Sequence, residues 1–298
     1  MPSKGLILKM RINKLFSNYG ICSRKETNRL IEERRVKING EFCALGQWVE
    51  IDKDEILLDD EPISIKKKVY IAFNKPVGIT CTSQSEVQGN IIDFMKYPQY
   101  IFPVGRLDKE SQGLIIMTND GDLANEILES ENMHEKEYIV KVNKALDDNF
   151  IKQMSEGVGI IGKESSGLKR ISDEFGVCKI KNNEEFDVGK DDLKMLQLKG
   201  FKLQGLDNNK KNIVKTRPCT VNKINESTFS IILTQGLNKQ IRKMCGALGY
   251  NVVSLERIRI MNIKIIGIEV GKWREFYEEE LSVLKDSVKT NKMKEKNE

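Results

Sequence analysis

Phe102-Pro103-Val104-Gly105-Arg106-Leu107-Asp108-Lys109-Glu110-Ser111-Gln112-Gly113-Leu114 is the stretch on which the reading of this chain turns. It sets a Gly-Arg-Leu-Asp tetrapeptide between two apolar runs that read as strands, the second continuing over residues 113–118. Arg106 and Asp108 are then expected in a loop carried by a sheet, a position where functional groups commonly sit. By itself the tetrapeptide is a weak signal and could be a turn closed by a salt bridge. Its weight depends on what surrounds it.

Working outward, further strands are expected at 69–73, 137–142, 218–224, 228–234 and 257–263, and helices at 121–129, 147–156, 238–248 and 276–286. Many strands with few helices between them indicate an α+β fold with a mixed, mostly antiparallel sheet. In the 238–248 helix, Ile241, Met244, Cys245 and Leu248 follow helical spacing and form the buried stripe. Arg242 lies off that stripe, where it could reach a carboxylate from another loop. Residues 163–216 are polar, weakly patterned and read as an insertion, and the lysine-rich end from residue 289 reads as a flexible tail.

The amino-terminal block has a different character. Residues 1–40 hold ten Lys and Arg against three Glu, and residues 41–63 hold eight acidic residues against one Lys. Such a basic block on a chain of net charge +5 is the footprint of a nucleic-acid-binding element, with a solvated basic surface as the plain alternative. A short helix over 11–19 ends at Gly20. Ser23-Arg24-Lys25-Glu26 is a capping box that starts a second helix, which runs to about residue 34. Arg24, Lys25 and Arg29 then share an exposed side, while Leu30 and Ile31 pack inward. A strand over 36–40 ends in an Asn-Gly turn, and two more short strands are expected before Pro62.

Composition excludes several classes of chemistry. The six cysteines form no C-x-x-C pair, and the chain holds one histidine, His134, expected at the surface. A zinc site, a disulfide framework and a multi-histidine metal site are all disfavoured, so no metal is expected. Gly157-Val158-Gly159-Ile160-Ile161-Gly162 matches the dinucleotide fingerprint, but it follows a helix where that motif needs a preceding strand, so a nucleotide site is rejected. Asp120 and Asp122 read as helix caps. No stretch is long and apolar enough for a membrane span and no signal peptide is visible, so a cytoplasmic location is expected.

Five segments in order resemble the RsuA/RluB/RluE/RluF family of rRNA pseudouridine synthases: Lys75-Pro76-Val77-Gly78, Gly105-Arg106-Leu107-Asp108, Lys136-Glu137-Tyr138, Gln235 through Arg242, and Leu255-Glu256-Arg257. The Lys109 to Leu114 continuation and His134 to Tyr138 look most like its RluF branch, which acts on 23S rRNA. Residues 10–63 resemble the small S4-type RNA-binding domain. The resemblance implies an S4-like α/β domain over 1–63, a linker over 64–68, and a catalytic domain over 69–288.

It also implies an isomerisation with no redox step, for which no cofactor is needed, and roles for particular residues. Asp108 would add at C1′ of the uridine or take its 2′ proton, the resemblance leaving that choice open. Arg242 would keep Asp108 ionised, Tyr138 would stack on the uracil, and Arg106 would hold the flipped-out conformation. Leu255, Lys75, Asn238 and Lys239 are further substrate-binding candidates. The RNA-facing side of the first domain would include Lys14, Ser23, Arg24, Lys25, Arg29 and Lys37. The expected partner is RNA, as 23S rRNA or a large-subunit assembly intermediate, with an anticodon-loop tRNA as a second candidate and a monomer as the working state. A non-catalytic RNA-binding or ribosome-assembly factor is the main rival, and a small-molecule enzyme with a basic appendage the third reading.

Overall fold

The computed structural model describes residues 9–51, 53–83, 87–128, 133–161 and 213–295. The elements begin with β1 (Lys9–Arg11), α1 (Ile12–Asn18), α2 (Arg24–Glu32), β2 (Val36–Ile38), β3 (Glu41–Phe42), β4 (Trp48–Glu50), β5 (Ile56–Leu58) and β6 (Glu61–Pro62). Next come β7 (Tyr70–Lys75), α3 (Ile91–Met95), β8 (Phe102–Val104), β9 (Gln112–Thr118) and α4 (Gly121–Leu128). The middle of the chain holds β10 (Lys136–Val142), α5 (Asp148–Glu156), β11 (Gly159–Ile161), β12 (Ile213–Lys215), β13 (Thr220–Asn225) and β14 (Thr228–Leu233). Then follow α6 (Gln240–Ala247), β15 (Val252–Ile260), β16 (Ile263–Lys264), β17 (Trp273–Glu275) and α7 (Glu278–Glu295). Two compact units result: Met1–Asn132 with Asn262–Glu298, and Met133–Met261. The division runs through the expected catalytic domain, because the chain leaves the first unit after α4 and returns to it after β15.

Within the first unit, the amino-terminal part has its own core of Ile12, Leu15, Phe16, Leu30, Ile31, Val36, Ile38 and Val49. Ser23 caps α2 by accepting from Glu26 N at 3.0 Å, as the capping box requires. Four short strands occupy 41–62, where two were expected, and β3, β2, β5 and β6 pair side by side. Gly20 ends α1 with φ +70, and a Cβ there would lie 2.7 Å from Asn119 Nδ2, so both backbone and space demand glycine. Asn119 in turn accepts from Val69 N at 2.9 Å and donates to Lys67 O at 2.9 Å. Lys68 Nζ donates to Asn18 O at 2.7 Å, and Lys66 N to Tyr19 O at 2.9 Å. The expected linker is therefore strapped to α1 and to the end of β9.

The larger sheet of this unit has β17, β7, β9 and β8 in antiparallel order. Ile71, Ala72 and Phe73 of β7 and Leu114 to Met117 of β9 are all buried, the continuous apolar pattern of strands covered on both faces. The closing helix α7 buries Leu284 and Val288 and runs on to Glu295. Residues 289–295, expected as a tail, are thus helical. No helix among the described residues is long and apolar enough to cross a membrane.

In the second unit, β13, β14, β10 and β15 form an antiparallel sheet. Phe150 of α5 packs on Phe229 and Tyr250, with ring centroids 5.3 and 4.3 Å apart. α5 ends at Gly157, φ +88, and the chain enters β11, which pairs with β12. The described part of the glycine-rich stretch follows a helix and enters a strand. Residues 162–212 lie outside the described residues, but 213–216 of the expected insertion belong to the fold, because the Thr216 hydroxyl accepts from Val158 N at 2.9 Å. β15 begins at Val252, earlier than expected, and His134 is buried, against the expectation of a surface position.

Candidate active site

The loop between β8 and β9 is fixed at several points. Val104 pairs with Ile116 across the two strands, so residues 105–111 must turn back at their ends. Gly105 has φ +76, and a Cβ there would lie 3.0 Å from Leu128 Cδ2. Leu107 is buried and anchors the loop, while Asp108 beside it is half-buried and Arg106 exposed. Asp108 O accepts from Ser111 N at 3.0 Å, and Lys109 O from Gly78 N at 2.8 Å. The Lys75–Gly78 turn is thereby tied onto the loop. The backbone around Asp108 is held from below and from the side, and its carboxylate makes no hydrogen bond or ion pair among the described residues.

Lys75 takes a different part from the one expected. It is fully buried, and Nζ donates to Pro76 O at 2.8 Å and Ile79 O at 3.0 Å. An ammonium with two donors committed to its own turn shapes the loop and presents no surface to a substrate.

Beside Arg106 opens a groove of about 860 Å³. Ser17 of α1 and Arg24 of α2 line it together with Thr80, Tyr100, Phe102 and Arg106. Two guanidinium-bearing side chains, two aromatic rings and hydroxyls around one open groove suit a phosphate backbone and unstacked bases. Burial, and in second place the charge on Cys22, pushes the Tyr100 phenol up to about 12. Of the other expected RNA-facing residues, Lys25 is exposed and Lys14 half-buried. Arg29 is paired with Glu26 and Glu33 at 2.5 and 2.9 Å, and Lys37 with Asp60 at 2.6 Å. Exposed pairs of this kind are weak enough to exchange for a phosphate. Ser23 uses its side chain as the helix cap.

The second unit carries the remaining candidates. Lys136 and Tyr138 alternate onto one face of β10, and Arg257 of β15 lies opposite Tyr138 in register. Burial pushes the Lys136 ammonium down to about 8, with the charge on Arg257 adding to the effect. Glu137 and Arg259 pair at 2.7 Å on the opposite face. Arg242 is half-buried on α6, whose Ile241, Met244 and Cys245 form the expected buried stripe, and its Nη1 donates to Val252 O at 3.4 Å. Asn238 and Lys239 are exposed at the start of α6, and Leu255 is buried in β15. Sequence reasoning placed Lys136 and Arg257 within motifs but gave neither a role, although a Lys-x-Tyr alternation on a strand signals a shared face. Among the described residues no cluster of His, Cys, Asp and Glu could hold a metal.

Comparison with known proteins gives a consistent picture. A family model described as RNA pseudouridylate synthase matches residues 69–247. The chain is 39% identical over 274 residues to the dual-specificity RNA pseudouridine synthase RluF of Salmonella typhi, covering 91% of this chain and 77% of that one. It is 38% identical over 275 residues to the protein of the same name from Escherichia coli K12, with the same coverage. A crystal structure of a pseudouridylate synthase superposes with a TM-score of 0.56 at 23% identity, covering 92% of this chain and 99% of that one, which is a likeness of fold.

Proposed function

This chain belongs to the RNA pseudouridylate synthase family, and we propose that it converts a uridine of 23S rRNA to pseudouridine with Asp108 as the essential carboxylate. The observation that carries this is the loop itself. Asp108 is half-buried on a backbone held by Ser111, Gly78 and the anchor Leu107, with its carboxylate uncommitted among the described residues.

The reaction is an isomerisation, so atoms and electrons balance without an oxidant or reductant. The C1′–N1 bond breaks, the uracil turns, C1′ joins C5, and the C5 proton leaves as N1 gains one. A carboxylate suits it as a group that can add at C1′ or accept the 2′ proton and then depart. Tyr138, Arg242, Arg106 and Leu255 belong to the same proposal: Tyr138 against the uracil and in proton removal at C5, and Arg242 as the cation that favours an ionised carboxylate. Arg106 holds the extruded nucleotide, and Leu255 offers an apolar edge. Extruding a stacked uridine costs a few kcal/mol, and the basic amino-terminal part supplies binding toward that cost.

The RNA preference rests on the resemblance to the RluF branch and on relatives that carry that name. Their dual specificity favours a second RNA substrate, for which an anticodon-loop tRNA is the candidate. A monomer acting in the cytoplasm completes the proposal.

The test is tritium release from [5-³H]uridine-labelled 23S rRNA transcript by the purified protein. Asp108→Asn should lose turnover and keep its affinity for the transcript; retained turnover in that variant would sink the assignment of Asp108.

A further inference from the structure

The amino-terminal part carries exposed apolar side chains that neither the groove nor the catalytic loop uses. Phe42, Leu45 and Trp48 are 54%, 56% and 59% exposed, three large apolar side chains within one short stretch of a small domain. Each aromatic ring has a cation over it. Arg11 lies 5.8 Å from the Trp48 ring centroid, while Arg34 and Lys37 lie 5.6 and 5.4 Å from that of Phe42.

The arrangement follows from the strand pairings. Lys37 is the register partner of Phe42, and Arg11 that of Trp48, so each cation and ring share a face of their ladder. Ile12 N donates to Gln47 O at 2.9 Å, and Gln47 N to Ala44 O at 3.1 Å, which holds the 44–47 turn against the start of α1. Arg34 is held at φ +57 at the exit of α2. Among the described residues, neither Arg11 nor Arg34 has a carboxylate partner, whereas Arg29, Arg35 and Lys37 do.

Exposed rings with uncommitted guanidinium groups beside them suit a polyanion that also carries flat apolar faces. Single-stranded RNA is such a ligand: bases stack on rings without regard to sequence, and the phosphates between them meet the arginines. A duplex offers the phosphates and withholds the base faces. A protein partner would meet the rings, but with two uncommitted arginines it would need acidic residues placed at both. We propose that Phe42 and Trp48, with Arg11 and Arg34, form a stacking platform for a single-stranded RNA segment outside the target uridine's own site. The platform sits on the reading of this chain as an RNA-acting enzyme and gives the amino-terminal part a preference for unpaired RNA.

The chain has two tryptophans, Trp48 and Trp273, so a full-length Trp273→Phe protein reports on Trp48 alone. Titration with oligouridylate should quench Trp48 emission, and a blunt RNA duplex of equal length should quench it far less. Trp48→Ala and Phe42→Ala should each weaken oligouridylate binding, on the order of 5- to 100-fold, and leave duplex binding nearly unchanged. Arg11→Gln and Arg34→Gln should each reduce the salt slope of binding by about one. Unquenched Trp48 emission with unchanged affinity in both aromatic variants would overturn the platform, and so would equal losses for single strand and duplex. Tritium release from the 23S transcript by the wild-type protein is run alongside. Its absence would count against the proposed substrate and leave the stacking result to stand or fall by itself.

Discussion

Replacing Gly105 by alanine separates the stability of the catalytic loop from its geometry. Gly105 has φ +76, and the added Cβ would lie 3.0 Å from Leu128 Cδ2. An L-residue in the left-handed region costs about 1–2 kcal/mol. The stiffer unfolded chain returns about 0.4–1 kcal/mol. Leu128 is an exposed side chain, and moving its terminal methyl off a favoured rotamer costs about 0.5–1.5 kcal/mol. The net loss is about 1–2 kcal/mol, which for a chain of this size lowers Tm by roughly 2–8 °C.

The effect on turnover should be larger than that loss implies. Asp108 follows three residues later on the same loop, and a displacement of about 1 Å at a reacting group can cost on the order of 10²-fold in rate. The assay pairs a thermal melt by circular dichroism with kcat and KM from tritium release. The expected result is a small fall in Tm, a kcat reduced by one to two orders of magnitude, and a KM nearly unchanged. Gly246→Ala is the control: it lies in α6 with open space at its Cβ position, so alanine should stabilise by about 0.5–1 kcal/mol. If Gly105→Ala melts early and turns over normally, the loop backbone does not position Asp108. A normal melt would refute the steric argument as well.

Two further expectations concern the second unit. At Gly157, φ is +88 and a Cβ would lie 2.3 Å from the backbone oxygen of Thr216; Gly157→Ala should cost about 3 kcal/mol, from left-handed strain plus a displaced backbone. A urea midpoint equal to wild type would contradict it. Lys136 is held down to about 8 by burial against an ordinary value of 10.5. Between those values the unfolded chain binds more protons, so this residue's contribution to stability rises with pH across that window and is flat below it. The full rise is on the order of 3 kcal/mol. The difference in stability between wild type and Lys136→Met should therefore change between pH 7.5 and pH 10, and a constant difference would refute the burial argument.

Much of the fold was legible because its signals are local. The Ser23 capping box, the Gly20 stop, the stripe of Ile241, Met244 and Cys245, and the strands near 70, 115, 139 and 231 rest on spacings of two to four residues. The elements that escaped notice are short: α3 has five residues and β17 three, and β17 is a strand because β7 supplies its hydrogen bonds. β15 began earlier than expected because Val252 to Glu256 pair along β10, a partner that no local pattern reveals.

The same divide runs through the candidate site. Motif order in the sequence singled out Asp108, Tyr138 and Arg242 as candidates for chemistry run by a carboxylate. Burial and partner choice were another matter, because they depend on residues distant in the chain. Lys75 turned inward to hold its own turn, and His134 went into the interior. The linker became a strap through Asn119, and Arg24 and Arg106, far apart in sequence, came to line one groove. The sequence by itself determined which groups the protein can use and the order of its motifs. Only the tertiary structure decided which of those groups still face the solvent, because a cation's availability is set by the carbonyls and carboxylates that folding brings beside it.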